Sequence, residues 1–148
     1  MNKDSDVLFL YMTSHGLPNV FEMENAPLDL AQADPKWLRE TLDAAGIRWR
    51  VIVISSCYSG SFVPALQNEN TLVITASAAD RQSFGCSSEA DYTYFGRAFF
   101  DMAMREQSSI KQAFDQARKT VTKWETAQGF EPSEPQWSIG RNMELMLP

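Results

Sequence analysis

Cys57 and His15 are the residues whose types and setting could do nucleophilic chemistry. Cys57 ends the run Arg50-Val51-Ile52-Val53-Ile54-Ser55-Ser56-Cys57-Tyr58-Ser59-Gly60. His15, the single histidine, ends Val7-Leu8-Phe9-Leu10-Tyr11-Met12-Thr13-Ser14-His15-Gly16. Both runs share one grammar: an apolar segment, small polar residues, one reactive residue and a nearby glycine. A thiol beside an imidazole is the minimum for a cysteine nucleophile, because the sulfur attacks and the ring moves the proton. Taken singly, Cys57 reads as a buried structural cysteine, and His15 as a satisfied strand-end histidine. The pair of matching contexts meets that minimum, and each residue's bland reading stands beside it.

Two strands must bring the pair together. Val51–Ile54 is β-branched throughout, as expected of a parallel strand buried on both faces. Val7–Met12 is a second apolar strand, and Thr71–Ala76 a third. If the first two are parallel neighbours, thiol and imidazole meet at the C-terminal sheet edge, where open α/β folds place ligands. The crossover is a helix with Asp34 as N-cap and Pro35 in the first turn, stopped by Gly46. Its apolar face is Trp37, Leu38, Thr41, Leu42 and Ala45, and the unit should be a right-handed βαβ. Between His15 and this helix, 16–30 reads as a loop with a short hairpin around Val20–Met23. After Cys57, Ser59, Gly60 and Ser61 are turn or cap residues opening a short helix over Phe62–Leu66. Its amides and macrodipole would favour the thiolate.

The rest of the chain supplies a loop and a cover. Ser77–Asp91, with Gly85 and Cys86, is expected as a long loop over the same sheet edge. A helix follows over Thr93–Glu106, burying Phe95, Ala98, Phe99, Met102 and Ala103. Ser108 or Ser109 caps a third helix to Ala127, with Ile110, Ala113, Phe114, Ala117, Val121 and Trp124 at helical spacing. Pro135–Gly140 reads as a last strand, at an edge because of its proline.

Composition narrows the function. The 148 residues, 44% hydrophobic, fit one domain with a sizeable core. A net charge of −6 with dispersed lysines and arginines argues against nucleic acid as a partner. No apolar run reaches membrane-span length. The polar N-terminus has no signal-peptide core, so the default compartment is the cytoplasm. Cys57 and Cys86 do not make a disulfide framework; they either pair or stand as one reactive and one buried thiol. One histidine and two scattered cysteines offer no closed zinc set. A flavodoxin-like binder would need a Gly-rich phosphate loop, and a Ser hydrolase a Gly-x-Ser-x-Gly elbow; neither occurs.

Thr13-Ser14-His15-Gly16 and Ser55-Ser56-Cys57-Tyr58-Ser59-Gly60 lie with their reactive residues 42 apart. Together with Thr71–Cys86 and Tyr94-Phe95-Gly96, they resemble the legumain-like cysteine peptidases, the C13 family with a caspase-like fold. The resemblance runs from Val7 to about Gly140. It implies a three-layer α/β/α fold with a mostly parallel sheet, and residues 1–148 as a single peptidase domain. It implies a cysteine endopeptidase acting on peptide or protein substrates without cofactor or metal. Cys57 would be nucleophile, His15 would protonate the leaving amine, and the Gly16 and Cys57 amides would form the oxyanion hole. A residue without Cβ at Gly16 also lets substrate approach closely.

The substrate-binding positions depart from the family pattern. Ser83 matches a family serine. Ser55 stands two before the nucleophile, where an acid is expected, and Arg97 follows Tyr94-Phe95-Gly96, where a second acid is expected. Asparagine specificity therefore does not carry over, and Arg97 reads equally as a residue of a solvated helix face. The family fold has two strands and a helix before the histidine strand, whereas this chain opens on that strand. The expectation is a C-terminal portion of the full domain whose open strand edge pairs with a second copy, giving a homo-oligomer. The alternative is a truncated, non-catalytic relative that binds a protein partner through that edge.

Overall fold

A computed structural model of the chain describes residues 1–22, 32–84 and 93–147. Strand β1 (Val7–Thr13) leads into a small antiparallel sheet of β2 (Gly16–Leu17), β3 (Val20–Glu22) and β4 (Gln32–Ala33). Pro18 and Asn19 make the turn between β2 and β3. Asn19 takes φ 60, a left-handed conformation that asparagine tolerates. The expected hairpin around Val20–Met23 thus has β3 as one arm; Met23 lies outside the described residues.

Helix α1 (Pro35–Ala45) has the ends its sequence dictates. The Asp34 carboxylate accepts from the Trp37 amide at 2.7 Å, and Gly46 closes the helix at φ 72. Its buried face is narrower than the periodicity predicts: Pro35, Leu38 and Leu42 are buried, whereas Thr41 and Ala45 are exposed. Strand β5 (Trp49–Ser55) pairs in parallel with β1, from Val7↔Trp49 to Thr13↔Ser55. A 3-10 turn (Ser59–Phe62) runs into the short helix α2 (Val63–Leu66). Strand β6 (Thr71–Thr75) pairs in parallel with β5.

Helix α3 begins at Tyr94–Gly96, continues through a π-helical stretch, Arg97–Ala103, and ends with Met104–Glu106. Apolar spacing alone predicts an ordinary helix here. The wider π turn accompanies ring contacts by both Phe99 and Phe100, the latter at 4.7 Å from Tyr11 and 6.2 Å from Phe9. Helix α4 (Ile110–Ala127) is capped by the Ser109 hydroxyl, which accepts from the Gln112 amide. Strand β7 (Gln136–Ile139) pairs antiparallel with β6 at the sheet edge. Helix α5 (Arg141–Met146) was not anticipated; it has no side-chain cap and buries only Met143.

The main sheet runs β1-β5-β6-β7. Val51, Val53, Leu72 and Ile74 face α3 and α4 through Phe95, Phe99, Phe114 and Val121. Ile52, Ile54 and Val73 face the opposite way, onto Leu38, Leu42, Phe62 and Leu66. The result is a three-layer α/β/α fold with a mostly parallel sheet. Strands β5 and β6 are apolar through their centres, Val51–Ile54 and Leu72–Ile74, because both of their faces are covered.

Candidate active site

The sequence runs that end in His15 and Cys57 emerge side by side. Beyond the Thr13↔Ser55 pair, the ladder continues with the Ser14 amide donating to the Ser55 carbonyl at 3.3 Å. His15 follows on one strand and Cys57 on the other. Gly16, opening β2, lies directly on the cysteine turn. A Cβ built on it would stand 2.5 Å from the Cys57 carbonyl oxygen and 2.9 Å from Ser56 Oγ. No residue with a side chain fits that contact, which accounts for glycine at this position. The β2–β3 turn is tied to the same loop, since the Asn19 amide donates to Ser61 Oγ at 2.9 Å. His15 is exposed and Cys57 half-buried.

The surroundings of the sulfur differ from the sequence expectation. Amides of the helix after Cys57 were expected to face the thiol. Three amides that follow Cys57 are instead committed: Tyr58 to the Arg81 carbonyl at 2.7 Å, Ser59 to Ser77 Oγ at 3.0 Å, and Ser61 to the Tyr58 carbonyl at 3.0 Å. The helix is also too short for an appreciable macrodipole. The sulfur is held by Ser83. The Cys57 thiol donates to the Ser83 carbonyl at 3.2 Å, the Ser83 amide donates to Sγ at 3.3 Å, and Ser83 Oγ stands 4.0 Å away. Ser83 thus offers the sulfur both an acceptor and donors.

Ser55 is buried and shares a 2.8 Å hydrogen bond with Thr93 Oγ1. Thr93 Oγ1 in turn accepts from the Gly96 amide at 2.9 Å, capping α3. So the residue two before Cys57 is spent on tying β5 to α3. Arg97 goes elsewhere: it is exposed, with its guanidinium 5.4 Å above the Trp124 ring on α4. The fold therefore gathers His15, Gly16, Ser55, Cys57 and Ser83 at one sheet edge, while the partner of Arg97 is α4. Cys86 lies outside the described residues.

A buried serine cluster that the sequence reading missed underlies the site. Ser77 Oγ accepts from the Ser59 amide, donates to the Ser56 carbonyl at 3.1 Å, and lies 3.1 Å from Ser59 Oγ. It fastens the end of β6 to the cysteine turn. The loop after β6 is anchored from behind, where the Ala78 amide donates to the Ser133 carbonyl at 2.8 Å and the Ser133 amide to Glu125 Oε1 at 3.1 Å. Glu125 is fully buried on α4, and its burial pushes its carboxyl above the ordinary glutamate range. Serines at strand ends were visible in the sequence, but their pairing required the fold. Among the described residues, no group of three or more His, Cys, Asp or Glu gathers to hold a metal, and no helix is long and apolar enough to cross a membrane.

Comparison with known proteins agrees with this architecture. The sequence model of the peptidase C13 family matches residues 1–145. Legumain from Canavalia ensiformis is 35% identical over 82 residues, covering 54% of this chain and 17% of that protein. A vacuolar-processing enzyme from Ricinus communis is 34% identical over 86 residues, covering 57% of this chain and 17% of that protein. The match thus spans about a sixth of the length of these relatives. A solved structure, caspase-1 from Spodoptera frugiperda, superposes with a TM-score of 0.65 at 13% identity. It covers 93% of this chain and 61% of that one, and it establishes a caspase-like fold.

Proposed function

The chain belongs to the peptidase C13 family, and on that premise we propose that it is a cysteine endopeptidase domain working through Cys57 and His15. The Cys57 thiol gives its proton to His15 as Sγ attacks the peptide carbonyl, forming a carbon–sulfur bond and a tetrahedral oxyanion. The Gly16 and Cys57 amides donate to that oxyanion. His15 protonates the leaving amine as the carbon–nitrogen bond breaks. Water then hydrolyses the thioester, regenerating the thiol. The Ser83 amide steadies the sulfur before attack, and Ser55 acts from below by holding β5 against α3. Arg97 lines the substrate side only if it leaves Trp124. The observation that carries this reading is the Thr13↔Ser55 register, with Gly16 packed on the Cys57 carbonyl.

The test is a fluorogenic peptide library varied on both sides of the cleaved bond, run with the chain and with Cys57→Ala and His15→Ala. Turnover lost in both variants is expected. Turnover that survives Cys57→Ala refutes the reading. A second reading, a non-catalytic domain that self-associates or binds a protein through β1, draws on the exposure of that edge strand. Val7, Phe9 and Tyr11 are 42%, 47% and 38% exposed, and no charged side chain within β1 guards it against pairing. Sedimentation of the chain against Phe9→Lys distinguishes them: an assembly dispersed by the lysine, without turnover, favours the second.

A further inference from the structure

A cleft of ≈ 380 Å³ opens beside the cysteine turn, walled by Tyr58, Arg81, Gln82, Phe84, Phe130 and Glu131, with Asp80 also on its lining. Its lining residues neighbour the nucleophile and its Ser83 clamp in the chain. Tyr58 follows Cys57 in the chain, and Gln82 and Phe84 flank Ser83, the residue that holds the sulfur. Tyr58 adopts φ 58 and ψ 21, a left-handed conformation unfavourable for a bulky aromatic residue. Such strain persists only where neighbours enforce it, and it clusters at functional sites. Here the Arg81 carbonyl holds the Tyr58 amide at 2.7 Å, and Ser61 Oγ donates to the Tyr58 carbonyl at 2.6 Å. The Tyr58 hydroxyl meets Gln82 Nε2 at 3.5 Å along the cleft wall.

The chemistry of the walls selects an occupant. Phe84 and Phe130 stack face to face, with centroids 4.4 Å apart and planes 15° apart, giving one flat aromatic side. Among the described lining residues the only cation is Arg81, and it is already engaged. It pairs with Glu131 and lies 3.9 Å from both Asp80 and Glu134. Of these carboxylates Asp80 and Glu131 line the cleft, and two carboxylates against one guanidinium leave it negative. Aromatic faces and surplus negative charge together attract a cation with a flat or slender apolar stem. A carboxylate side chain would meet repulsion at the same place.

We infer that this cleft is a subsite for an arginine or lysine side chain of the peptide substrate, next to the residues flanking the cleaved bond. The inference rests on the peptidase reading for its substrate, and on the cleft alone for its selectivity. Asp80 and Glu131 are 86% and 75% exposed at their side chains, so each carboxylate contributes only a few-fold in affinity. The aromatic walls and exclusion of acidic residues add to that.

The test uses the whole 148-residue chain carrying Cys57→Ala, which lacks the proposed nucleophile, and fluorescein-labelled octapeptides of alanine and glycine. A single arginine, norleucine or glutamate is scanned through the peptide positions, and binding is read by anisotropy. Arginine at one position is expected to bind about tenfold more tightly than glutamate and about threefold more tightly than norleucine. Glu131→Gln and Asp80→Asn should each shrink the arginine preference, and added salt should weaken it. Equal affinity for the three peptides, no detectable binding of any of them, or a preference untouched by both variants overturns the inference. Arginine-selective binding without turnover by the unmodified chain would sink the peptidase reading and leave the subsite. Turnover without charge selectivity would do the reverse.

Discussion

Substituting Gly16 by alanine probes the contact on which the site depends. The added methyl would lie 2.5 Å from the Cys57 carbonyl oxygen, against an ordinary contact of at least 3.4 Å. Its next neighbour, Ser56 Oγ at 2.9 Å, is on a fully buried residue and cannot swing into solvent. The shortfall of about 0.9 Å must be absorbed by backbone, moving the histidine turn or the cysteine turn. Overpacking of this kind costs about 1–3 kcal/mol, or roughly 3–10 °C in Tm for a chain of this size. The effect on chemistry is larger, because a displacement near 1 Å between reacting groups costs about 100-fold in rate. Differential scanning fluorimetry gives the first number, and peptide turnover the second. The iodoacetamide alkylation rate of Cys57 checks that the thiol has changed its surroundings. Gly16→Ala with Tm, alkylation and turnover all within about twofold or 1 °C of the parent would refute the packing of the histidine turn on Cys57.

Two further substitutions examine the supports of the site. Ser77→Ala removes one acceptor of the buried Ser59 amide and the donor to the Ser56 carbonyl, leaving these two groups only their mutual 3.3 Å bond; each hydrogen bond lost costs about 0.5–1.5 kcal/mol. Urea unfolding should reveal that loss, and an unchanged midpoint would mean the serine cluster does not fasten β6 to the cysteine turn. Glu125→Gln addresses pH. A carboxyl raised by burial binds its proton more tightly in the folded chain than in the unfolded one. Its contribution to stability is therefore present at low pH and lost as pH rises from the ordinary glutamate value through the raised one. The glutamine keeps an oxygen for the Ser133 amide without that titration, so its Tm relative to the parent should climb as pH rises above the ordinary glutamate value. A Tm difference constant across that rise would count against the burial argument.

The sequence by itself determined the main-sheet strands, the larger helices and their order, but not helix α5 or the sheet β2-β3-β4. Runs of β-branched residues are strands wherever both sheet faces are covered, so β5 and β6 were legible. Asp34, Pro35 and Gly46 bounded α1, and Ser109 opened α4, because caps and breakers act within one turn of chain. The family was also legible, since its motifs are short and local. What the sequence withheld was contact between distant segments. The Ser83 clamp on Cys57, 26 residues away, depends on how the loop after β6 folds back, and no local propensity encodes that. The diversion of Arg97 to Trp124 and of Ser55 to Thr93 likewise required α3 and α4 to be packed on the sheet. The π stretch in α3 escaped because apolar spacing is nearly the same for both helix types over one turn. The helix expected to face the thiol proved too short, and amides of the turn before it are taken by neighbouring carbonyls and hydroxyls. That competition among backbone donors was decided only by tertiary structure, because each donor serves the acceptor that folding brings nearest.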